Sequence, residues 1–204
     1  MKNKGNIIYI IIVLTVLVSI IVGISFAYII GTQSSDGSLD VNVAIENGVI
    51  ANFTVTGNTD VTMPISGNAM LEGSAGSVAG TNTTSLTVNL ESDITTICSY
   101  DIVWEWNNSS DSYVLTSSTN SEPEFTVSGE VQGSNLELEE TQVSNYSSSK
   151  TLGTFSIAAN GSKSTQNWTF TTNFYNINAK QDAHENKTYK GIIKIANADC
   201  RKQV

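Results

Sequence analysis

Apolar residues along this chain follow two patterns, and the two predict different elements. From Ile7 to Ile30 they form one run of twenty-four residues without a charged side chain. No polar face interrupts that run, which argues against a helix packed on a soluble core. As a helix it spans about 36 Å, against a hydrocarbon thickness of about 30 Å. Beyond residue 38 the pattern changes to alternation. Leu39, Val41, Val43 and Ile45 alternate with Ala or polar residues, and after Asn47-Gly48 so do Val49, Ala51, Phe53 and Val55. Period-2 runs flanking Asn-Gly predict a β-hairpin, because both turn positions take φ > 0.

The alternation continues at Val61, Met63 and Ile65, and again at Leu86, Val88 and Leu90. Residues 67–82, rich in Gly, Ser and Ala, read as a loop between these strands. In ICSYDIVWEW, Cys98, Tyr100, Ile102, Trp104 and Trp106 share one face, which makes this segment the centre of the expected core. Asn107 to Ser112 reads as a turn, and Tyr113–Leu115, Phe125–Val127 and Leu136–Leu138 as weaker strands. Leu152–Ile157 and Trp168–Phe174 are expected to pair as a hairpin around Asn160-Gly161. The polar stretch 176–187 leaves room for a short helical turn, and Tyr189–Ile195 is the closing strand. Many short strands without an amphipathic helix predict an all-β body, a jelly-roll-like or Ig-like β-sandwich.

The chain therefore divides into an N-terminal segment (1–30), a polar linker (31–38) and one β-sandwich domain (39–204). Lys2 and Lys4 precede the apolar run, so the positive-inside rule directs the body out of the cell. The N-terminal segment has two fates. Retained, it is a transmembrane helix holding a single-pass protein on the cell membrane, with its C-terminal domain extracellular. Cut between Ala27 and Tyr28, after the small residues of Ser25-Phe26-Ala27, it is a signal peptide and the protein is secreted. The anchor uses the whole run and is the preferred reading.

Charge sharpens this picture. Between Gly31 and Ser149 there are sixteen acidic residues and no Lys or Arg, whereas from Lys150 onward eight basic residues face three acidic ones. An acidic body excludes nucleic acid as a partner, since that binding rewards clustered cations. It would admit calcium or head-to-tail packing, and solubility is its plainest meaning. Cys98 and Cys200 are the only cysteines. In an oxidising compartment they form either one disulfide or two separate buried thiols.

Candidate chemistry is sparse. The single histidine, His184, stands with Asp182 and Glu185 in a polar run. A zinc peptidase presents two histidines on one helix with a glutamate base, so His184 reads as a solvated loop residue. Asp101 and Glu105, with Glu91 or Asp93 near them, read as an ordinary wet strand face rather than a calcium site. Trp104 and Trp106 would make a glycan platform if exposed, but their phase with Ile102 argues core for at least one of them. Asn-x-Ser/Thr at Asn52, Asn82, Asn167 and Asn186 reflects composition. No catalytic, metal or cofactor residue is nominated.

The order of these segments resembles the camelysin/TasA family of Gram-positive cell-surface and matrix proteins. The likeness rests on SFAY at the end of the apolar run and VTMPI early in the β region. It rests further on TLGTFSIAANGSKSTQNWTFTTNFYN, a polar loop, and then TYKGIIKI as the closing strand. The resemblance implies an exported jelly roll with a role in surface structure or extracellular fibres. It also brings a metallo-endopeptidase alternative, because camelysins are described as such. The short region 176–187 and the two cysteines depart from the family pattern. The expected function is a non-catalytic, exported cell-surface protein, a fibre or matrix subunit assembling by edge-strand addition with Leu39–Ile45 as donor strand. Its expected partners are the membrane, copies of itself or other surface proteins. A glycan or cell-wall binding module is a further alternative.

Overall fold

The computed structural model describes residues 39–46, 49–67, 74–116 and 122–202. The N-terminal segment, the Ala27–Tyr28 cleavage point and the linker lie outside these residues. Among the described residues no helix is long and apolar enough to cross a membrane.

The fold is antiparallel β throughout. The strands are β1 (Leu39–Glu46), β2 (Val49–Asn58), β3 (Asp60–Pro64), β4 (Val78–Trp106), β5 (Phe125–Val131), β6 (Glu137–Gln142), β7 (Lys150–Tyr175) and β8 (Thr188–Lys202). One 3-10 turn, Asp182–His184, precedes β8. β4 and β7, of 29 and 26 residues, pair along nearly their whole length, from Val78↔Tyr175 to Trp104↔Lys150. Each serves both halves of the molecule. One half has the order β1-β2-β4-β7-β5-β6. The other runs β3-β8-β4-β7, using residues from Thr96 onward in β4 and up to Asn160 in β7.

The long ribbon bends where its register slips between Ser92 and Thr95. Opposite that slip stands Gly161, with φ 66°. An extra residue on one strand and a left-handed glycine on the other are the local means of turning a sheet corner. The bend brings the two halves face to face. Ring centroids meet across the gap for Phe53–Tyr100 at 5.9 Å, Trp104–Phe125 at 5.5 Å, Phe155–Trp168 at 4.8 Å and Phe174–Tyr189 at 6.0 Å.

Alternation accounts for what fills that gap. Leu86, Val88 and Leu90, then Cys98, Tyr100, Ile102, Trp104 and Trp106, and on β7 Trp168, Phe170 and Phe174 are all buried. Each fully buried side chain of Val or Phe size contributes about 1.5–3 kcal/mol. Gly191 makes room for the largest of them, because a Cβ there would meet Trp104 Cζ2 at 2.2 Å.

Four expectations are corrected. Leu86–Leu90 and Ile97–Trp106 are not separate strands but parts of β4, which begins at Val78 inside the expected loop. Leu152–Ile157 and Trp168–Phe174 do not pair as a hairpin. Both pair with β4, and Asn160-Gly161 is a bend within one strand. Tyr113–Leu115 is not a strand: the backbone is irregular there, and Tyr113 is buried by stacking on Trp106 with centroids 5.4 Å apart. His184 is not a solvated loop residue. It is 2% exposed.

Cys98 and Cys200 sit directly opposite in the β4–β8 register, with Cα atoms 4.0 Å apart, and are joined as a disulfide. The bond lies beside the bend. At the other end, called open here because no disulfide closes it, residues 107–116, 122–124 and 176–187 converge.

Candidate functional site

At the open end a charged side chain is buried inside the aromatic core. Glu124 follows Pro123 at the entry to β5 and is 0% exposed. Burying a carboxylate is tolerable only when its oxygens are fully bonded. Here Oε2 accepts from Tyr113 Oη and from the Thr116 backbone N–H, both at 3.0 Å. Oε1 accepts from Thr116 Oγ1 at 2.5 Å and Gln181 Nε2 at 2.7 Å, with His184 Nε2 at 3.3 Å. Burial alone pushes the Glu124 carboxyl up. Hydrogen bonds from His184, from the Thr116 hydroxyl and N–H, and from Gln181 outweigh it and hold the group at about 2.

His184 is placed by the 3-10 turn, whose N–H bonds the Gln181 carbonyl at 2.9 Å. Its two ring nitrogens each meet a hydroxyl: Nε2 faces Thr116 Oγ1 at 2.8 Å and Nδ1 faces Tyr189 Oη at 2.6 Å. One tautomer gives the lone pair to Thr116 and the other gives it to Tyr189. Gln142, at the end of β6, accepts the Glu124 N–H at 2.8 Å and donates to Tyr113 Oη at 3.0 Å. Gln181 donates also to the Tyr175 carbonyl at 3.1 Å, and its Oε1 accepts the Ile177 N–H at 2.9 Å. Burial and the Glu124 charge both push the hydroxyls of Tyr113 and Tyr189 up, so each stays protonated.

Two open grooves lie away from this cluster. One, of about 450 Å³, runs over β6 and β7 and is lined by Glu130, Glu137, Glu139 and Glu140 with Thr169 and Thr171. The other, of about 360 Å³, lies between Glu105 and Ser147–Ser149. Among the described residues no group of three His, Cys, Asp or Glu is arranged to hold a metal ion. Asp182 pairs instead with Lys180 at 2.6 Å. Asp101 accepts from Thr154 Oγ1 at 2.6 Å and Asn197 Nδ2 at 2.8 Å, and Glu105 pairs with Lys194. All three tryptophans are buried, so none of them forms an exposed platform.

The sheet edges differ in how they are protected. β6, with Glu137, Glu139 and Glu140, carries charge along its edge. β3 has five residues and ends in Pro64. Short strands, proline and charge are the usual defences of an unpaired edge. The first part of β7, Thr151–Gly161, has none of them. It pairs on one side with β4, while β5 reaches only from Phe174 to Trp168, so its other side has no strand partner among the described residues. β1, with Asp40 and Glu46, is the edge of the other half and among the described residues pairs only with β2.

Sequence reading had named Cys98 and Cys200, which the structure brings together. It missed Glu124, Thr116, Gln181 and Tyr189 as partners of His184. No family model and no curated protein matches the chain.

Proposed function

We propose that this is a non-catalytic, exported cell-surface protein of camelysin/TasA type, whose β-sandwich of jelly-roll character polymerises by adding a strand from one copy to the sheet edge of the next. The uncharged edge Thr151–Gly161 carries the reading. A row of backbone groups without a strand partner takes up an extended strand with no need for a pocket, although at Ser156 the incoming strand meets a carbonyl that accepts from Gln166 Nε2 at 2.9 Å. The donor is Leu39–Ile45, which follows directly on the linker and is held at home by one neighbour. The apolar run with Lys2 and Lys4 before it supports export, either as a single-pass anchor or as a signal cut after Ala27.

The test uses the full chain with residues 36–46 deleted, beside an Ala158→Lys variant that places a charge on the exposed side of the acceptor edge. Both are expected to retain a β-type circular dichroism spectrum and to lose fibres or higher oligomers by electron microscopy and light scattering. Fibres of normal length and yield from the deletion variant would exclude Leu39–Ile45 as the donor.

A further inference from the structure

The open-end cluster contains the parts of an acyl-transfer centre. Thr116 Oγ1 is 2.8 Å from His184 Nε2, within reach for proton transfer. The imidazole is oriented from behind by Tyr189 Oη, 2.6 Å from Nδ1. In the tautomer with its proton on Nδ1, Nε2 offers its lone pair to the threonine hydroxyl, whose hydrogen turns to it from Glu124 Oε1. The Gln181 carboxamide lies next to that hydroxyl. Gln181 Nε2 and Thr116 Oγ1 both donate to the same oxygen, Glu124 Oε1, at 2.7 and 2.5 Å. The Ile177 N–H, 2.9 Å from Gln181 Oε1, fixes which end of the carboxamide is oxygen. It also stands where negative charge would develop if that carbonyl were attacked.

A hydroxyl nucleophile, an oriented imidazole, a carbonyl and an oxyanion donor therefore converge. Glu124, Gln181, His184 and Tyr189 are buried, and Thr116 is half-buried over them. The acyl group in place is the chain's own.

We propose that this centre joins Thr116 to Gln181 by an intramolecular ester. His184 Nε2 takes the hydroxyl proton as Thr116 Oγ1 attacks Gln181 Cδ. The tetrahedral oxyanion forms on Oε1, facing the Ile177 N–H. The Cδ–Nε2 bond then breaks, the nitrogen takes the proton back from His184, and ammonia leaves. One C–O bond forms and one C–N bond breaks, with no change of oxidation state. The transient imidazolium faces Glu124 Oε1 at 3.3 Å, and the leaving nitrogen is held by the Tyr175 carbonyl at 3.1 Å. Loss of ammonia to solvent makes the step one-way, and burial of Gln181 shields the ester carbonyl from water. The link would tie the β4–β5 connection to the β7–β8 connection, closing the end that the disulfide leaves open. It stands independently of whether the protein polymerises.

The test is the mass of the full chain purified under non-reducing conditions. The expected deficit is about 17 Da, one ammonia, beyond the two hydrogens lost to the disulfide. Cleavage with trypsin and a glutamate-specific protease, which does not cut the Glu122–Pro123 bond, should give peptides 106–124 and 181–185 as one covalently linked ion. Hydroxylamine should separate them. Thr116→Ser should keep the link, and Thr116→Val should abolish it and restore the mass expected of its own sequence. A wild-type chain with no ammonia deficit, yielding the two peptides separately, would overturn the proposal and leave the cluster a hydrogen-bonded network only.

Discussion

The two ends of the molecule are closed by opposite means. Beside the bend, Cys98 and Cys200 face each other across adjacent strands and are tied by one covalent bond. At the open end, as long as Thr116 and Gln181 are unlinked, Glu124 and His184 are drawn from separate connections and held by hydrogen bonds to Tyr113, Thr116, Gln181 and Tyr189. The first device acts mainly on the unfolded chain, whose freedom it restricts. The second acts on the folded state, because each donor that loses its acceptor there is left buried and unpaired. The first should therefore respond to reductant and not to mild acid, and the second to acid and not to reductant.

The largest effect is expected at the bend. The disulfide spans a sequence separation of 102, and closing a loop of that size contributes on the order of 4–5 kcal/mol. The Cys98→Ser, Cys200→Ser double variant should lose stability by about that amount at every pH between 4 and 8. Urea unfolding followed by tryptophan fluorescence measures it. A loss confined to one part of that pH range would mean that the two ends are not independent.

Next comes the acid response of the open end. Glu124 has its folded pKa lowered from 4.5 to about 2. A lowered carboxyl pKa adds stability that is complete above the unfolded value and is lost as pH falls through the folded one. The contribution is about 3 kcal/mol, and it should disappear between about pH 4.5 and pH 2. Glu124→Gln should be less stable at pH 7 and should show a flatter acid limb across that window. An unchanged acid limb in this variant would remove Glu124 as the source.

The difference between the ends also explains what could be read in advance. The bend end is built from local pattern. Cys98 and Tyr100 alternate on β4, as do Ala198 and Cys200 on β8, and alternation alone puts them inside. The bend itself was misread, because Asn160-Gly161 carries the chemistry of a tight turn. Its φ > 0 residue serves instead to turn a corner in a strand whose both parts pair with β4. The open end has no such pattern. AHENK is polar apart from Ala183, and nothing in those five residues announces that His184 will lie between Phe174 and Tyr189, with ring centroids 5.2 and 5.9 Å away. Glu124 between Pro123 and Phe125 is equally silent. Its partners lie 8 to 60 residues distant, brought together only when the two long strands close on each other. Periodicity reports which face of a strand is dry, but it carries no record of which connections meet at its end.

The smallest effect tests the outer member of the cluster. Tyr189→Phe keeps the ring that stacks on Phe174 and removes only the hydroxyl 2.6 Å from His184 Nδ1. One lost hydrogen bond at a buried acceptor should cost about 1 kcal/mol. The loss should be local. Among open-end amides, Lys187 donates to the His184 carbonyl at 3.2 Å and Tyr146 to the Tyr113 carbonyl at 2.8 Å, so both should exchange hydrogen faster. Amides around Cys98 and Cys200, at the far end of β8, should keep their wild-type rates. If they too speed up, the hydroxyl supports the whole sheet rather than one end, and the two ends are a single cooperative unit.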